Sequence, residues 1–324
     1  MGENDSKDLC TADNSILRTA VIGAGYLGEF HAQKYAALPQ TKLVAVADKN
    51  ATRANEVAQK LSTTALSDYR SLLSDVDAVS IASPTTTHFK IAKEFLTAGV
   101  SVLVEKPMTV TTDEAEELIA IARSTNAVLQ VGHLERFNPA LLAVADQIQT
   151  PTFIESHRLA PYTVRGTDVN VVLDLMIHDI DIILNLVKAN VSAIHANGTA
   201  IISDAIDIAN VRLEFDNGCV ANVTASRVSE KRERRIRVFQ REKYIAVDFQ
   251  QNSNRVCVVD RTQPAIDDLP HIQCENTQLE KGDAILAEIE AFIRAIQTNS
   301  PPLVTGEDGL RALQTAIAIG KQIT

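Results

Sequence analysis

The feature that most constrains this chain is a glycine-rich turn, GAGYLG at residues 23–28, which follows a short apolar run and precedes a helix-like stretch. The run at 18–22 predicts a buried strand, and residues 26–38 predict a helix. In a turn placed this way, Gly23 permits the tight bend, Gly25 lets the backbone approach a pyrophosphate, and Gly28 lets helix and strand pack closely. The turn therefore predicts dinucleotide binding, with a purely structural turn as the alternative.

An acidic residue downstream supports this interpretation and bears on which dinucleotide binds. Asp48 closes the second predicted strand, 20 residues after Gly28. A carboxylate there accepts hydrogen bonds from the ribose 2′-hydroxyl group and repels a 2′-phosphate, which favours NAD over NADP. Lys49 and Arg53 follow Asp48, and either cation could accommodate that phosphate, so the predicted preference for NAD is not strict.

Short runs rich in Val and Ile alternate with helix-length stretches through the first part of the chain. Further strands are predicted at 42–47, 78–82, 102–104 and 128–131, and further helices at 52–60, 85–98 and 113–124. Thr111 and Glu114 fit a capping box at the start of the last of these helices. The alternation predicts a doubly wound parallel sheet covered by helices on both faces, which we assign to residues 15–133.

The pattern changes after about residue 133. One long apolar helix is predicted at 171–187, and strands are predicted at 206–215, 219–227, 236–240, 244–249 and 256–260. The sequence DNG at 216–218 predicts a hairpin between the first two strands. Two more helices are predicted at 283–298 and 307–322. The chain is therefore α/β overall: residues 134–324 are expected to form an α+β domain with a large open mixed or antiparallel sheet, which binds substrate and mediates oligomerisation, and residues 1–14 a disordered tail.

Length and composition exclude several classes of protein. The 324 residues suffice for two domains, and 45% hydrophobic with 22% charged residues is ordinary for a folded protein with a sizeable core. A net charge of −10 disfavours nucleic acid and anionic membranes as partners. The first residues lack a signal-peptide pattern, and no apolar run approaches the roughly 20 residues that a membrane span needs. These features predict a cytoplasmic protein.

Neither a disulfide framework nor a metal site is predicted. The four cysteines, which we expect to be free thiols in a reducing compartment, lie far apart without a CxxC pair: Cys10, Cys219, Cys257 and Cys274. Five histidines show no metal-ligand spacing to one another: His31, His133, His157, His195 and His271. The basic run at 227–243 contains eight Lys or Arg and three Glu, and its alternation predicts a solvated strand rather than a nucleic-acid contact.

Two further patterns carry candidate chemistry. Lys106 stands in the sequence EKP directly after the fifth predicted strand, at the edge where open parallel sheets bind ligands, and an exposed loop lysine is the alternative. On the long apolar helix, residues 174, 178, 181 and 185 recur at helical spacing and form one polar stripe. Short acids, an amide and a histidine fit a functional stripe better than a face turned to water. Within it, Asp174 could orient the His178 imidazole.

Together these motifs resemble the Gfo/Idh/MocA oxidoreductases. The resemblance rests on GAGYLG with Asp48, SPTTTH at 83–88, EKP at 105–107, GHLERFNP at 132–139 and DLMIHDID at 174–181, and it runs from about residue 17 to the C-terminus. It implies a Rossmann domain followed by an α+β domain with a large sheet, and NAD as the cofactor. It also implies that Lys106, Asp174 and His178 surround the reacting carbinol of a sugar or cyclitol.

The predicted cofactor-binding set combines the glycine-rich turn with residues that the resemblance implies. These residues are Gly23, Gly25, Tyr26, Leu27, Gly28, Asp48, Lys49, Arg53, Ser83, Pro84, Thr85, His88, Glu105 and Lys106. In the reaction, His178 could take the proton from the reacting hydroxyl while Lys106 holds the oxygen, or the two could exchange these roles.

The segment at 157–182, together with GHLERFNPA, is similar to the family's bacterial branch of UDP-N-acetylglucosamine 3-dehydrogenases. That similarity implies oxidation of the C3 hydroxyl, transfer of the 3-keto product to a PLP-dependent aminotransferase for lipid A, and a homodimer or homotetramer. The two phosphates of a UDP group need cations, and the candidates beside Tyr162 are Arg165, Arg158 and Arg136. The alternatives are UDP-N-acetylglucosaminuronate, inositol or a free sugar as substrate, and a non-catalytic NAD-binding sensor.

Overall fold

The structure is a computed structural model and describes residues 15–163, 170–263 and 269–323, so the predicted tail at 1–14 lies outside the described residues. The chain divides into two compact units. The first holds the described residues up to Gly132 together with Ile285–Gly306, and the second holds His133–Ala284 together with the residues from Glu307 onward. The sequence prediction assigned residues 15–133 and 134–324 to two domains, whereas in the structure residues 285–306 belong to the first unit.

The first unit contains a six-stranded parallel sheet with helices between its strands. The strands are β1 (Leu17–Ile22), β2 (Thr41–Ala47), β3 (Thr64–Leu66), β4 (Ala78–Ile81), β5 (Ser101–Glu105) and β6 (Leu129–Gly132), and the helices are α1 (Tyr26–Ala37), α2 (Ala51–Leu61), α3 (Thr85–Thr97) and α4 (Thr112–Thr125). Their order, β3-β2-β1-β4-β5-β6, is that of a Rossmann sheet, which confirms the predicted doubly wound fold.

The predicted capping box forms at the start of α4. The Thr111 hydroxyl oxygen accepts a hydrogen bond from the Glu114 backbone N–H (3.3 Å), and the Glu114 carboxylate accepts one from the Thr111 N–H (3.1 Å). Two backbone donors that the helix itself leaves unpaired are thereby satisfied.

The second unit is built on an eight-stranded sheet. Its strands are β7 (Phe153–Leu159), β8 (Val191–Thr199), β9 (Ile208–Phe215), β10 (Val220–Ser226), β11 (Glu233–Gln240), β12 (Lys243–Asp248), β13 (Ser253–Asp260) and β14 (His271–Gln278), and the helices that follow α4 along the chain are α5 (Pro139–Leu142), α6 (Ile177–Val187), α7 (Ala284–Gln297) and α8 (Gly306–Ile323). In the order β14-β13-β12-β11-β7-β10-β9-β8, neighbours are antiparallel except for β7 and β10, which are parallel. The predicted mixed sheet is confirmed.

Alternating side chains on the central strands form the core of the second unit. Every second residue of β9 and β10 is buried and belongs to the same cluster as the apolar face of α6: Ala209, Val211, Leu213, Phe215, Ala221, Val223 and Ala225. The predicted hairpin between β9 and β10 is present, and Gly218 occupies it with a φ of +84°, a conformation that glycine adopts without strain. The basic run likewise has one dry face, because Ile236 and Val238 of β11 are buried.

Helix α7 completes the core of the first unit although it follows the second unit's strands in sequence. Ile289, Phe292 and Ile293 are buried in a cluster with Tyr35 of α1 and Leu103 of β5. Burying each large apolar side chain contributes about 1.5–3 kcal/mol, so this helix is a substantial part of the first unit's stability.

The cysteine prediction is wrong for one pair. Cys257 of β13 and Cys274 of β14 face each other with Cα atoms 4.1 Å apart and form a disulfide bond. They are 17 residues apart in sequence, so strand pairing, not sequence spacing, brings them together. Among the described residues, Cys219 is the free cysteine, and it is buried. In the same part of the chain, none of the helices combines the length and apolar content needed to cross a membrane.

Candidate active site

The glycine-rich turn between β1 and α1 has the geometry that its sequence predicts. Gly23 has a φ of +103°, and a Cβ atom there would lie 2.6 Å from the Ala82 carbonyl oxygen. A Cβ atom at Gly28 would lie 1.8 Å from the Gly23 carbonyl oxygen, so this position tolerates no side chain. By contrast, a Cβ atom at Gly25 would meet nothing within 4 Å. The turn is thus closed where helix and strand pack and open where a pyrophosphate would approach the backbone.

Asp48, at the end of β2, is tied to this turn. Its two carboxylate oxygens accept hydrogen bonds from the backbone N–H groups of Ala24 (2.7 Å) and Asn50 (2.8 Å). Arg53 Nε donates to the Ala24 carbonyl oxygen (2.8 Å), so that residue supports the turn from the other side. Each carboxylate oxygen has a second acceptor site, and Asp48 can therefore still accept a hydrogen bond from a ribose hydroxyl.

A cavity of about 690 Å³, within the usual range of small-molecule sites, lies along the turn in the first unit. It is lined by Ile22, Gly23, Gly25, Ala47, Asp48, Lys49, Ser67, Asp68, Tyr69, Arg70, Ala82, Ser83, Pro84, Thr87 and Ile91. Six of the predicted cofactor-binding residues are in this lining: Gly23, Gly25, Asp48, Lys49, Ser83 and Pro84. The other predicted residues are not in it: Tyr26, Leu27, Gly28, Arg53, Thr85, His88, Glu105 and Lys106.

Sequence reasoning missed one side of this cavity. Asp68, Tyr69 and Arg70 lie at a short 3₁₀ turn, Tyr69–Leu72, that follows the unpredicted strand β3. The Arg70 guanidinium lies 5.6 Å from the centre of the Tyr69 ring and 3.4 Å from the Glu94 carboxylate. These residues carry no motif, and the position of β3 at the sheet edge is the signal that would have located them.

His88, predicted near the cofactor, is not among the residues that line the cavity. The ring is buried, with Nε2 2.8 Å from the Ser83 carbonyl oxygen and Nδ1 3.0 Å from the Pro107 carbonyl oxygen. Burial lowers the pKa of His88, and the two carbonyl groups oppose that shift. The imidazole thus connects the segment after β4 with the EKP segment after β5.

Glu105 ends β5, Lys106 follows it, and the Lys106–Pro107 peptide bond is cis. The Glu105 carboxylate is partly buried, with Oε1 3.1 Å from His31 Nε2, and contact of Glu105 with the cofactor stays a prediction. Burial opposes ionisation of Glu105, but the His31 hydrogen bond and the Lys106 charge together hold the pKa of this carboxyl below its usual value. The residue directly before Lys106 therefore carries negative charge.

In the second unit, the predicted polar stripe starts on a π-helical turn. Residues 172–176 form this turn and continue directly into α6, whereas the sequence prediction assumed one regular α-helix. Such turns often occur at functional sites, and they change which residues share a face. Asp174, His178 and Asn185 are half-buried, and Asp181 is fully buried. The His178 ring lies 6.5 Å from the ring of His133, at nearly a right angle.

Two of the arginines predicted for phosphate binding are buried in ion pairs. Arg158 Nε lies 2.6 Å from Asp179 Oδ2, and Arg158 NH1 lies 2.7 Å from Glu135 Oε1. Arg136 is 6% exposed and pairs with Asp181 at 3.4 Å. Their burial and their carboxylate partners argue against phosphate binding by Arg158 and Arg136.

The other two predicted contacts of the UDP group are Arg165 and Tyr162. Arg165 lies outside the described residues. Tyr162 is described and half-buried. Both stay candidates for contact with the sugar nucleotide.

The parallel sheet, the open glycine-rich turn and the adjoining cavity define a dinucleotide-binding protein. Comparison with known proteins makes the class specific: residues 17–133 match the NAD-binding Rossmann domain of the Gfo/Idh/MocA oxidoreductases, and residues 161–323 match the family's C-terminal alpha/beta domain. The chain belongs to the Gfo/Idh/MocA oxidoreductase family. Its cofactor is NAD, which the Gly25 and Asp48 geometry can accommodate.

Individual relatives cover nearly the whole chain. A UDP-N-acetylglucosamine 3-dehydrogenase of Acidithiobacillus ferrooxidans is 42% identical over 94% of this chain and 96% of its own length. Its solved structure superposes with a TM-score of 0.89 at 40% identity, covering 95% of this chain and 97% of the other. An uncharacterised oxidoreductase of Bacillus subtilis, YrbE, is 31% identical over 94% of this chain and 96% of its own.

Proposed function

We propose that this chain oxidises the C3 hydroxyl of UDP-N-acetylglucosamine to a ketone with NAD as the hydride acceptor. The observation that carries the proposal is the 42% identity, over 94% of the chain, with the Acidithiobacillus UDP-N-acetylglucosamine 3-dehydrogenase. The motifs EKP at 105–107 and DLMIHDID at 174–181 supply the residue types that such chemistry needs.

In the proposed mechanism, bound NAD supplies the acceptor for the hydride that leaves C3. His178 accepts the hydroxyl proton, since imidazole is the side chain that exchanges protons most readily near neutral pH. The C–H and O–H bonds break, and the C=O bond forms. Asp174, on the π-helical turn directly before α6, is the proposed residue that orients its ring.

Lys106 has the complementary role in this mechanism. Its ammonium group stabilises the negative charge that develops on the oxygen as the proton leaves. The order can also be reversed, with Lys106 taking the proton and His178 donating a hydrogen bond. Arg165 and Tyr162 are the proposed contacts of the UDP group, because a pyrophosphate requires cationic and hydrogen-bonding partners.

The decisive experiment measures NADH absorbance with a panel of compounds: UDP-N-acetylglucosamine, UDP-N-acetylglucosaminuronate, inositol and free hexoses. We expect the first to be turned over with the highest kcat/KM. Reduction of the product with borodeuteride, followed by NMR, then locates the oxidised carbon at C3. A preference for inositol or a free sugar would contradict the proposed substrate, and NAD binding without any oxidation would support the sensor alternative.

The product of this reaction indicates which class of enzyme acts on it next. A 3-keto sugar nucleotide is a substrate for a PLP-dependent aminotransferase, which would install a 3-amino group for lipid A and hence lipopolysaccharide. We propose that such an aminotransferase uses the product of this chain. We also propose that the chain forms a homodimer or homotetramer through its second unit. Coupled assays with an aminotransferase and sedimentation analysis test these two points.

We also keep the cytoplasm as the proposed location, because NAD and nucleotide sugars are metabolites of that compartment. The Cys257–Cys274 disulfide counts against it, since disulfides are rare in reducing compartments. Cell fractionation tests whether the protein is in the cytoplasm, and thiol labelling of the extracted protein tests whether Cys257 and Cys274 are bonded in the cell.

A further inference from the structure

A buried cluster of three titratable residues in the first unit has no part in the mechanism described above. His31 of α1, Glu105 at the end of β5 and Glu288 of α7 each place one nitrogen or carboxylate oxygen within 4.8 Å of the others. His31 is 1% exposed and Glu288 is 0% exposed. The three residues cannot all be charged without partners, because an unpaired buried charge is very costly in free energy.

Glu288 is the member without compensation. In the part of the chain that the structure describes, neither of its side-chain oxygens has a hydrogen-bond partner. Burial raises the pKa of Glu288 well above its usual value, and the negative charge of Glu105 raises it further. Two carboxylates this close disfavour each other's ionisation, so the raised pKa of Glu288 favours its protonated, neutral form.

Glu105 is held in the opposite state. The hydrogen bond from His31, at 3.1 Å, and the positive charge of Lys106 outweigh the effect of its burial. The groups that face this pair are therefore His31 and Tyr35 from α1, His88 from α3, and Lys106, which is next in the chain. None of these four groups opposes a negative charge on Glu105, whereas Glu288 does.

A chain of hydroxyl and imidazole groups explains how His31 can donate to Glu105. The Tyr35 hydroxyl lies 2.8 Å from Ser80 Oγ, and Ser80 Oγ lies 3.0 Å from His31 Nδ1. If Tyr35 donates to Ser80 and Ser80 donates to Nδ1, the imidazole carries a hydrogen on Nε2 and donates it to Glu105. Every hydrogen in this chain then points toward the carboxylate.

We propose that Glu288 and His31 are positioning residues that confine a single negative charge to Glu105, directly beside Lys106. The consequence for catalysis rests on the proposed role of Lys106, whereas the charge distribution itself does not. A fixed negative neighbour keeps the Lys106 amine in its ammonium form, the form that can stabilise a developing oxyanion. In this tautomer His31 Nε2 carries a hydrogen and does not ligate a metal, and a divalent cation held by the same three side chains is the alternative that the EDTA treatment below tests.

Infrared spectroscopy of the full-length protein tests the charge distribution without reference to activity. At pH 7.5 the wild type should show the C=O band of a protonated carboxyl group, with the usual shift in D₂O. Asp181, with a pKa of about 7, also contributes to this band, so Glu288→Gln should lose only the Glu288 component, whereas Glu290→Gln, at an exposed position on the same helix, should keep the whole band. An unchanged band in Glu288→Gln would contradict the proposal. Absence of the band in the wild type would overturn the proposal, as would a band that appears only after EDTA removes a bound metal.

The pH profile of turnover tests the connection to Lys106. Replacing His31 with leucine removes the hydrogen bond that keeps Glu105 ionised, so the alkaline limb of kcat should move to lower pH by roughly one unit. His31→Gln can still donate an N–H to Glu105 and should restore the wild-type limb. A uniform loss of turnover at every pH, with no movement of the limb, would show a merely structural role and overturn this part. If the wild type oxidises no sugar, the proposed function fails while the infrared result still decides on the cluster.

Discussion

Arg158 of β7 and Asp179 of α6 form a fully buried ion pair, with Nε and Oδ2 separated by 2.6 Å. Ser156, on the same strand, donates a further hydrogen bond to Asp179 Oδ1 (2.7 Å). The neighbours of Asp179 in the DLMIHDID segment are thereby fixed against the sheet. Burial disfavours the charge of Arg158, but Asp179 and Glu135 hold its pKa above the ordinary value. The pair therefore anchors the helix that carries His178.

Breaking this pair should lower the stability of the folded protein and leave the affinity for the substrate largely unchanged. Arg158→Met leaves a buried carboxylate without its partner, so we expect the free energy of unfolding to fall by about 3–5 kcal/mol. Urea denaturation measures this loss, and Arg255→Met, at an exposed arginine, should stay within about 0.5 kcal/mol of the wild type. Normal stability with weaker UDP-sugar binding would instead restore Arg158 as a phosphate ligand.

The glycine-rich turn allows folding and cofactor binding to be separated. Gly25→Ala adds a methyl group where nothing lies within 4 Å, so the melting temperature should stay near that of the wild type. The same methyl group would obstruct the pyrophosphate, and we expect the Kd for NAD to rise roughly tenfold, or about 1.4 kcal/mol. Calorimetric titration measures the Kd. Gly28→Ala is the contrasting variant and should fail to fold, because its methyl group collides with the Gly23 carbonyl oxygen.

Asp48 should decide between the two dinucleotides. Asp48→Ser removes the charge that repels a 2′-phosphate, and we expect the ratio of kcat/KM for NADP to that for NAD to rise by about tenfold. The variant also loses hydrogen bonds to the Ala24 and Asn50 N–H groups, which will lower its thermal stability. Asp75→Ser, at an exposed acid of the same unit, is the control. An unchanged ratio would count against the assigned role.

His178 is expected to be essential for turnover and dispensable for binding NAD. His178→Ala should reduce kcat by roughly 100-fold or more, because the variant loses the group that accepts the hydroxyl proton or, in the reversed order, the hydrogen bond to the reacting oxygen. NADH fluorescence should show an unchanged Kd for the cofactor. His195→Ala, at a histidine whose side chain is 64% exposed, should keep normal turnover. Near-normal turnover of the His178 variant would exclude this residue from the mechanism.

Asp181 makes stability depend on pH in a direction that can be stated. Burial raises its pKa to about 7, Asp308 adds to the shift, and Arg136 opposes it. Between about pH 4 and 7 the folded chain binds a proton that the unfolded chain releases, so this residue's contribution to stability falls as pH rises.

Asp181→Asn cannot ionise and lacks this dependence. Its melting temperature relative to the wild type should therefore increase from pH 5 to pH 8, as measured by scanning calorimetry. Asp146→Asn, at an exposed acid, should show a constant difference over the same range. A constant difference for the Asp181 variant as well would contradict the raised pKa.

Features set by local sequence were predictable. The turn at 23–28, the capping box at Thr111 and the hairpin at 216–218 each depend on a few adjacent residues, and the structure has all three. Strands β3, β7, β8 and β14 escaped prediction because they are short, rich in charged and polar residues, or at a sheet edge. Every second residue of β7 is buried, but two of these, Ser156 and Arg158, are polar, so its hydrophobic pattern does not alternate.

Features that depend on distant residues were not predictable from one sequence. The Cys257–Cys274 disulfide requires the pairing of β13 with β14, and the buried cluster requires residues 31, 105 and 288 to meet. The polar stripe was predicted with a regular 3.6-residue period, which the π-helical turn at 172–176 interrupts. Conversely, the partners of Arg158 and Arg136 lie on other elements, so their burial could not be inferred from their neighbours in sequence.

Helix α7 has a consequence for anyone who wishes to exchange modules between such dehydrogenases. A gene fragment that stops at codon 132 encodes all six parallel strands but omits Ile289, Phe292 and Ile293. Its product would expose the apolar surface that these side chains cover and would tend to aggregate. A workable graft needs three junctions instead of one, near 132, 284 and 306. Recombination at a single crossover would therefore be strongly selected against, and both halves of this enzyme should be inherited together.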